Sequence, residues 1–359
     1  MPDNLDQLNV STKRYVRSRP KLVDNLFQND PLAAFAKANL KEDFDGGRLI
    51  AENFWYGNLI GGAYAPGQNF DTSQPQIEQQ AQFGIKFLEV GVTLSKEEIQ
   101  VLNKGPQQIF SILDSRMNNA YITAGAFLSI AMYLQGQDAG YTLSVNGLTE
   151  ALSDGTTNSW NGNTYPTYGG LTRNTSPIGP ALNSKPTSVA SLQYSTLEEV
   201  YTDACVGVGE FEPNKIITTF KGYSYLKEQF QTQQRFNDTQ DGQFGFNAMK
   251  FNNAVVLKSR YAPGTFLNGT ADPVAVTYLT QTSKGAVTAY PNSTGESLWI
   301  LNARKPFFNF YMTNDEEYGL GFTGFKVAQQ NTSIVGQILL AYNVTFNPRY
   351  HRLIYGFTA

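Results

Sequence analysis

The chain is poor in the residues that most often carry chemistry. Its 359 residues include one cysteine, Cys205, and one histidine, His351. A single cysteine excludes an intramolecular disulfide and a thiolate cluster, and a single histidine excludes a two-histidine metal site. Charge is scarce too. Asp, Glu, Lys and Arg make up 16% of residues, well under the usual ~25%, and 27 basic against 30 acidic side chains leave a formal net charge of −3. No general basic field exists to gather nucleic acid or hold the chain on an anionic membrane. No apolar run approaches the ~20 residues that cross a bilayer, and the opening MPDNLDQLNV lacks the charged-then-apolar layout of a secretion signal. These absences set the expectation of a cytosolic protein without membrane contact. In such a protein the N-x-S/T triplets at Asn268 and Asn331 reflect the abundance of Asn and Thr.

Catalytic patterns are missing as well. Neither G-x-S-x-G, nor a G-x-x-x-x-G-K phosphate loop, nor H-E-x-x-H occurs. The adjacent acids Glu97-Glu98, Glu198-Glu199 and Glu316-Glu317 point apart on a helix or strand and read as first-turn or surface acids. Gly207-Val208-Gly209 follows a helical pattern, whereas a dinucleotide loop would follow a strand. Cys205 falls on the apolar side of its helix and reads as a small core residue. His351 reads as a hydrogen-bonded strand residue or a pH-sensitive contact. No catalytic residue, metal or cofactor is expected.

What the chain does have is apolar and uncharged polar surface. Hydrophobic residues make up 41% and aromatics 13%, enough for real cores in two or three packing units. Low charge with retained aromatics is the bias of interface centres. One stretch concentrates it: NFWYGNLIGGAYAPGQNFDTSQPQI, residues 53–77, has three consecutive aromatics, repeated Gly and Pro, and no Lys or Arg. With β-favouring flanks at 54–60 and 77–94 it reads as a long hairpin with a loose tip. Its aromatics, Phe54, Trp55, Tyr56, Tyr64 and Phe70, are too many for a linker, and its turns too many for a core. Nearer the start, Lys13, Arg14, Arg17, Arg19 and Lys21 fall together. They read as a solvated arm, or as a contact with polyanion or an acidic neighbour.

Residues 1–45 otherwise contain one short helix, opened by Asp30-Pro31 and spaced by Leu32, Phe35, Ala36 and Leu40. After Gly105-Pro106, apolar residues from Ile109 through Leu113, Met117, Ala120, Ala124, Leu128 and Ala131 to Leu134 keep i, i+3, i+4 spacing. This predicts a helix over 105–135, roughly 45 Å long at ~1.5 Å per residue, with Asp114, Asn118 and Thr123 on its other face. Residues 155–194 are rich in Gly, Asn, Ser, Thr and Pro without periodicity. A segment of that length is expected to be functional or ordered from outside the subunit. Ser195 opens the next helix through a capping box with Glu198. Strands at 216–220, 254–257, 297–300 and 307–311, a helix at 223–234 and a closing strand pair at 337–346 and 349–357 complete an α+β chain with no βαβ rhythm.

Several short runs carry a resemblance. Asp43-Phe44-Asp45-Gly46-Gly47 before Ile50 looks like the entry to an extended loop, and Ala81-Gln82-Phe83-Gly84-Ile85-Lys86 like its return strand. Asn146-Gly147-Leu148 looks like a "GL" turn, and Tyr168-Gly169-Gly170-Leu171-Thr172-Arg173-Asn174 like the signature "tyGGidR". Lys250 to Val256 looks like the strand "lkFnGvpvv", and Asn302 falls in a "Y-x-LN" position. Two departures stand beside these. Leu298-Trp299-Ile300-Leu301 replaces the usual tyrosine, and Pro177-Ile178-Gly179 stands where a tryptophan is common.

In this order, from about residue 21 to 358, the runs resemble the major capsid proteins of tailed bacteriophages, which have the Hong Kong 97-like fold. The resemblance implies an N-terminal arm at 1–45, an extended-loop hairpin at 46–94, and a peripheral domain at 95–150 holding the long spine helix. An axial domain at 151–300 and a return into the peripheral domain at 301–359 follow. It implies a non-enzymatic homo-oligomer, with hexamers and pentamers in an icosahedral shell around packaged double-stranded DNA bound without sequence specificity. Implied partners are a scaffolding protein, a portal and decoration proteins, in a virion assembled in the bacterial host's cytoplasm. Phe54, Trp55, Tyr56, Tyr64 and Phe70 would meet a neighbouring subunit. Arg14, Arg17 and Arg19 would touch a neighbour or the interior, and Gly169, Gly170 and Arg173 would form the signature loop. A fused scaffold would need a long charged extension; with Met1 so near the hairpin, a separate scaffold is the expectation. Encapsulin-type compartments share the fold. From other classes, the many aromatics would suit a carbohydrate-active enzyme or a carbohydrate-binding module, of which the enzyme needs two facing carboxylates that the sequence does not offer.

Overall fold

The computed structural model of the chain describes residues 30–39, 41–44, 46–69, 72–95, 97, 106–137, 142–175, 178–207, 209–229, 249–265, 295–327 and 333–358. Arg14, Arg17, Arg19 and Phe70 lie outside the described residues. In chain order come α1 (Pro31–Asn39), β1 (Lys41–Phe44), β2 (Leu49–Trp55), β3 (Glu78–Gly84), β4 (Lys86–Ser95), α2 (Pro106–Tyr133), β5 (Thr167–Tyr168) and β6 (Leu171–Thr172). Then follow β7 (Pro186–Ser188), α3 (Tyr194–Ala204), β8 (Lys215–Thr218), α4 (Phe220–Gln229), β9 (Met249–Phe251) and β10 (Ala254–Lys258). The chain closes with β11 (Glu296–Leu301), β12 (Phe308–Thr313), β13 (Gly319–Phe322), β14 (Lys326–Val327), β15 (Ser333–Phe346) and β16 (Arg352–Phe357).

Two six-stranded sheets organise these elements. In the first, the long β15 pairs with β12, β13, β14 and β4, and β1 adds to β12 in parallel. Period-two alternation on β4 buries Leu88, Val92 and Leu94 in one cluster with Leu113, Met117, Ala120 and Ala124 of α2. The second sheet runs β7-β16-β11-β8-β10-β9. Every residue of β8 and β11 is buried, and Leu197, Val200 and Tyr201 of α3 pack with Leu226 of α4 in that sheet's core. Asp30 ties the start of α1 to this unit: its carboxylate caps the Leu32 amide at 3.1 Å and accepts a hydrogen bond from Ser259 Oγ.

The expected long helix is α2, but its apolar stripe describes only the first half. From Ala124 to Gln135 every residue is buried, because that half runs between packed elements on all sides. The hairpin is shorter than expected. Its return strand β3 ends at Gly84, and residues 86–95 instead pair with β15 over ten positions, from Tyr342–Lys86 to Ser333–Ser95. The two closing strands do not pair, since β15 lies in the first sheet and β16 in the second. The run Lys250–Val256 is itself a tight hairpin, turning at Asn252 with φ +48°. The parallel neighbours β8 and β10 flank α4, a crossover that no rhythm in the sequence announced. Helix α3 starts at Tyr194, which packs edge-on against Phe251, and no side-chain cap forms at its N-cap Gln193. The expected capping box of Ser195 is therefore absent.

Candidate assembly surface

Strands β2 and β3 form a separate two-stranded ribbon, paired from Leu49–Gly84 to Trp55–Glu78. Beyond it the chain leaves regular structure. The Ile77 carbonyl accepts from Tyr56 N at 3.0 Å and Gly57 N at 3.2 Å, and a small turn joins Gln68 N to Ala65 O at 3.0 Å. Every described residue of 58–69 and 72–76 is exposed. Among them are large apolar side chains: Leu59 is 75% exposed and Tyr64 66%, while Trp55 at the end of β2 is 72% exposed. These three stand largely outside the core formed by the described residues, and exposed apolar area of this kind is a candidate contact surface.

The ribbon's base, by contrast, is held firmly. Its inward face presents Ile50, Phe54, Ala81 and Phe83, all buried. Tyr168 packs against it, with ring centroids 5.0 Å from Phe83 and 6.3 Å from Phe54, and its hydroxyl accepts from Phe346 N at 3.0 Å. The next residue, Gly169, has φ +55°, and a Cβ there would lie 2.6 Å from Ala81 Cβ and 2.7 Å from Phe83 Cζ. Only glycine permits that approach. The Gly169 carbonyl then accepts from Gln82 N at 2.9 Å. The signature loop is thus a clamp on the hairpin base.

Arg173 fastens the clamp from behind. Its guanidinium is buried and sits 5.2 Å from the Tyr168 ring centroid. Nη1 donates to Ser153 O at 2.5 Å and to Leu182 O, and Nη2 to Glu150 O at 2.7 Å and Ala151 O at 3.1 Å. Burial pulls its pKa down to about 10. Close by, the buried Glu150 carboxylate accepts from Gly136 N at 3.0 Å, Gln137 Nε2 at 2.8 Å and Asn146 Nδ2 at 2.9 Å. Burial raises its pKa against the pull of those donors. Gly147 crosses the end of α2 so closely that a Cβ would lie 2.4 Å from Leu134 O, which is why the "GL" turn needs its glycine. These contacts hold the described residues of 155–194 from within the chain. Trp160 Nε1 adds a bond to Thr149 Oγ1 at 2.8 Å, and Tyr165 and Tyr168 are buried. Of the two alternatives for this segment, functional or ordered from outside the subunit, the second is not needed for its described residues.

The structure therefore divides the hairpin residues singled out in the sequence. Trp55 and Tyr64 are exposed at the apex end. Phe54 is buried in its own subunit, contrary to the expectation that a neighbour covers it, because strand alternation turns it inward where Trp55 turns out. Tyr56 is half-buried against the same core. Gly169, Gly170 and Arg173 share one loop, with only Gly169 and Arg173 touching the clamp. Sequence reading missed Leu59 and Ile60, exposed apolar neighbours between Asn58 and Gly61, although a bare apolar pair flanked by turn residues was the available signal. The other singled-out groups are structural. His351 is fully buried, accepting from Asn302 N at Nδ1 and facing Phe307 O through Nε2 at 3.0 Å, and burial lowers its pKa to about 4. Cys205 ends α3 with its thiol 3.3 Å from Tyr201 O, and burial raises its pKa.

Two open clefts among the described residues hold one acid each. One cleft, of about 780 Å³ between Phe87, Leu143, Tyr318 and Leu339, contains one carboxylate, Glu89. A second, about 500 Å³, contains only Asp315. Among the described residues no cluster of three or more His, Cys, Asp or Glu could hold a metal, and no helix is long and apolar enough to cross a membrane.

No family model and no curated protein matches the chain by sequence. Solved structures do. The cyanophage A-1(L) capsid aligns over 91% of this chain and 92% of its own with a TM-score of 0.57 at 10% identity. The holo-SrpI encapsulin complex from Synechococcus elongatus PCC 7942 aligns over 90% and 86% with a TM-score of 0.52 at 8% identity. The capsid of a native GTA particle aligns over 90% and 89% with a TM-score of 0.51 at 9% identity. The fold of this chain is the α+β Hong Kong 97-like fold of such shell proteins.

Proposed function

We propose that the chain is the subunit of a closed protein shell, with each hairpin apex covered by a neighbouring copy. The carrying observation is the contrast within one ribbon: a glycine-clamped base packed into the core and an apex whose apolar side chains stand largely exposed. A clamp of this kind costs the burial of a cation and ties one position to glycine, which makes sense where the projecting part must be aimed. Hundreds of copies closing by symmetry need only modest contacts each, in keeping with the low charge of the chain.

In its finer form the reading is a major capsid protein of a tailed double-stranded DNA phage, built as hexamers and pentamers around the packaged genome. The arm residues Arg14, Arg17 and Arg19 would then contact a neighbour or the interior, and scaffold, portal and decoration proteins would be partners. The peripheral unit would be the first sheet with α2, and the axial unit the second sheet. The similarity to an encapsulin supports a second form, a compartment shell. Negative-stain microscopy of the purified chain tests the common claim: shells or capsomers are expected, and dispersed single subunits at high concentration would overturn it. Uniform shells enclosing a co-purified protein favour the compartment form. Shells of irregular size that a co-expressed partner makes uniform favour the scaffold-dependent capsid.

A further inference from the structure

The inward face of β2 holds an anomaly. Ile50 and Phe54 are buried there, and alternation puts residue 52 between them, yet that residue is a glutamate. Glu52 is half-buried, and an apolar side chain would fill the place without taking a carboxylate partly out of water. The acid is met by three donors on one oxygen: Glu52 Oε1 accepts from Tyr311 OH at 2.7 Å, Thr345 Oγ1 at 2.8 Å and Asn309 Nδ2 at 3.0 Å. These donors come from two strands of the first sheet. Asn309 and Thr345 are a cross-strand pair, and Tyr311 faces Asn343 one step further along the same face. Asn343 continues the row by donating to Gly84 O, at the foot of β3, at 2.7 Å. Both strands of the ribbon thus stand on one polar strip of β12 and β15. Among the described residues no cation pairs with Glu52, so hydrogen bonds alone hold it.

The two fastenings of the ribbon differ in kind. The Tyr168 and Gly169 clamp combines ring packing with one backbone hydrogen bond to the ribbon, from Gln82 N to Gly169 O. The Glu52 seam is directional, because three donors of fixed origin converge on one atom. We infer that Glu52 is a positioning residue for assembly, which fixes the direction in which the hairpin leaves its subunit and thereby the angle between neighbouring copies. The consequence for the shell rests on the function proposed above; the latch itself does not.

Hydrogen exchange on the isolated subunit reads the latch without any shell. Glu52→Ala is expected to speed exchange of the β2 and β3 amides about tenfold or more, since hydrogen bonds to a charged group are at stake, while α2 and β15 stay unchanged. Glu52→Gln keeps the acceptor oxygen and is expected to remain within about threefold of the parent. The pair Tyr311→Phe with Thr345→Val removes two donors, leaves Glu52 in place and is expected to behave like Glu52→Ala, which also covers the case in which Glu52→Ala fails to fold. In assembly, Glu52→Ala should broaden the range of particle diameters and Glu52→Gln should restore it. Parental exchange in both Glu52→Ala and the donor pair would overturn the inference, as would Glu52→Gln matching Glu52→Ala. A parent chain that forms no shells overturns the proposed function instead.

Discussion

Replacing Arg173 with methionine removes the fastening behind the signature loop and leaves a side chain of comparable length. Its two terminal nitrogens reach four carbonyls, those of Ser153, Leu182, Glu150 and Ala151. All four lose the guanidinium, but Ser153 O keeps the Ser184 amide at 3.1 Å, so the loss falls on the other three. At about 1–3 kcal/mol for each buried group left without that donor, the gross loss is at least about 3 kcal/mol. Loss of the favourable field on the buried Glu150 carboxylate adds to it. Against this stands the cost of burying the cation, which methionine relieves and which shows in the depressed Arg173 pKa. Because the low end of the range is already used, a net destabilisation of about 3 kcal/mol is expected. Urea denaturation of the isolated subunit at pH 7 measures it, with an unchanged slope showing that the unfolded state is not altered. Arg173→Lys should fall between the two, since three donors on a point charge replace five in a planar fork. A loss under about 1 kcal/mol for Arg173→Met would refute the clamp, because it would mean that the carbonyls have other partners.

Trp55→Ala combined with Tyr64→Ala should leave the melting of the free subunit unchanged, as both side chains are exposed, and should weaken assembly by about 2 kcal/mol per anchor; sedimentation across a concentration series measures this. Burial raises the Asp30 pKa from 3.8 to about 6, so its contribution to stability is fully present below pH 4 and is lost as pH rises through about 6. The stability of the parent minus that of Asp30→Asn should therefore fall between pH 4 and pH 7, and a flat difference would contradict the assignment. His351, whose pKa is lowered to about 4, has the opposite sign: its contribution is present above about 6.5 and is lost as pH falls through 4, so Asp30→Asn should steepen acid unfolding in that window.

The long helix was legible because apolar spacing is a local property, repeated over many turns. Its full enclosure from Ala124 onward was not, since small and apolar residues on the far side read as neutral until a second layer covers them. The uncovered hairpin apex was legible from composition alone. The inward turn of Phe54 was also within reach, because strand alternation separates it from Trp55. The fastening of the hairpin base was out of reach. Glu52 meets Asn309, Tyr311 and Thr345 across more than 250 positions of sequence, and nothing local distinguishes it from a surface acid. Arg173 stood out in the signature run, but its role did not, because its partners are backbone carbonyls that leave no side-chain pattern to read. Strand partnership failed for the same reason: residues 86–95 look continuous with the hairpin, and only their alignment with β15 assigns them to the sheet.

Comparing hydrogen exchange at residues 58–69 in the free subunit and in purified particles bears most directly on the central claim. Exposed, loosely hydrogen-bonded backbone should exchange rapidly in the free subunit, and cover by a neighbour should slow it by orders of magnitude in the particle, while the enclosed half of α2 stays slow in both. Equal, rapid exchange of the apex in particles and free subunits would contradict the account, because the apolar apex would then remain uncovered in the assembly it is proposed to build.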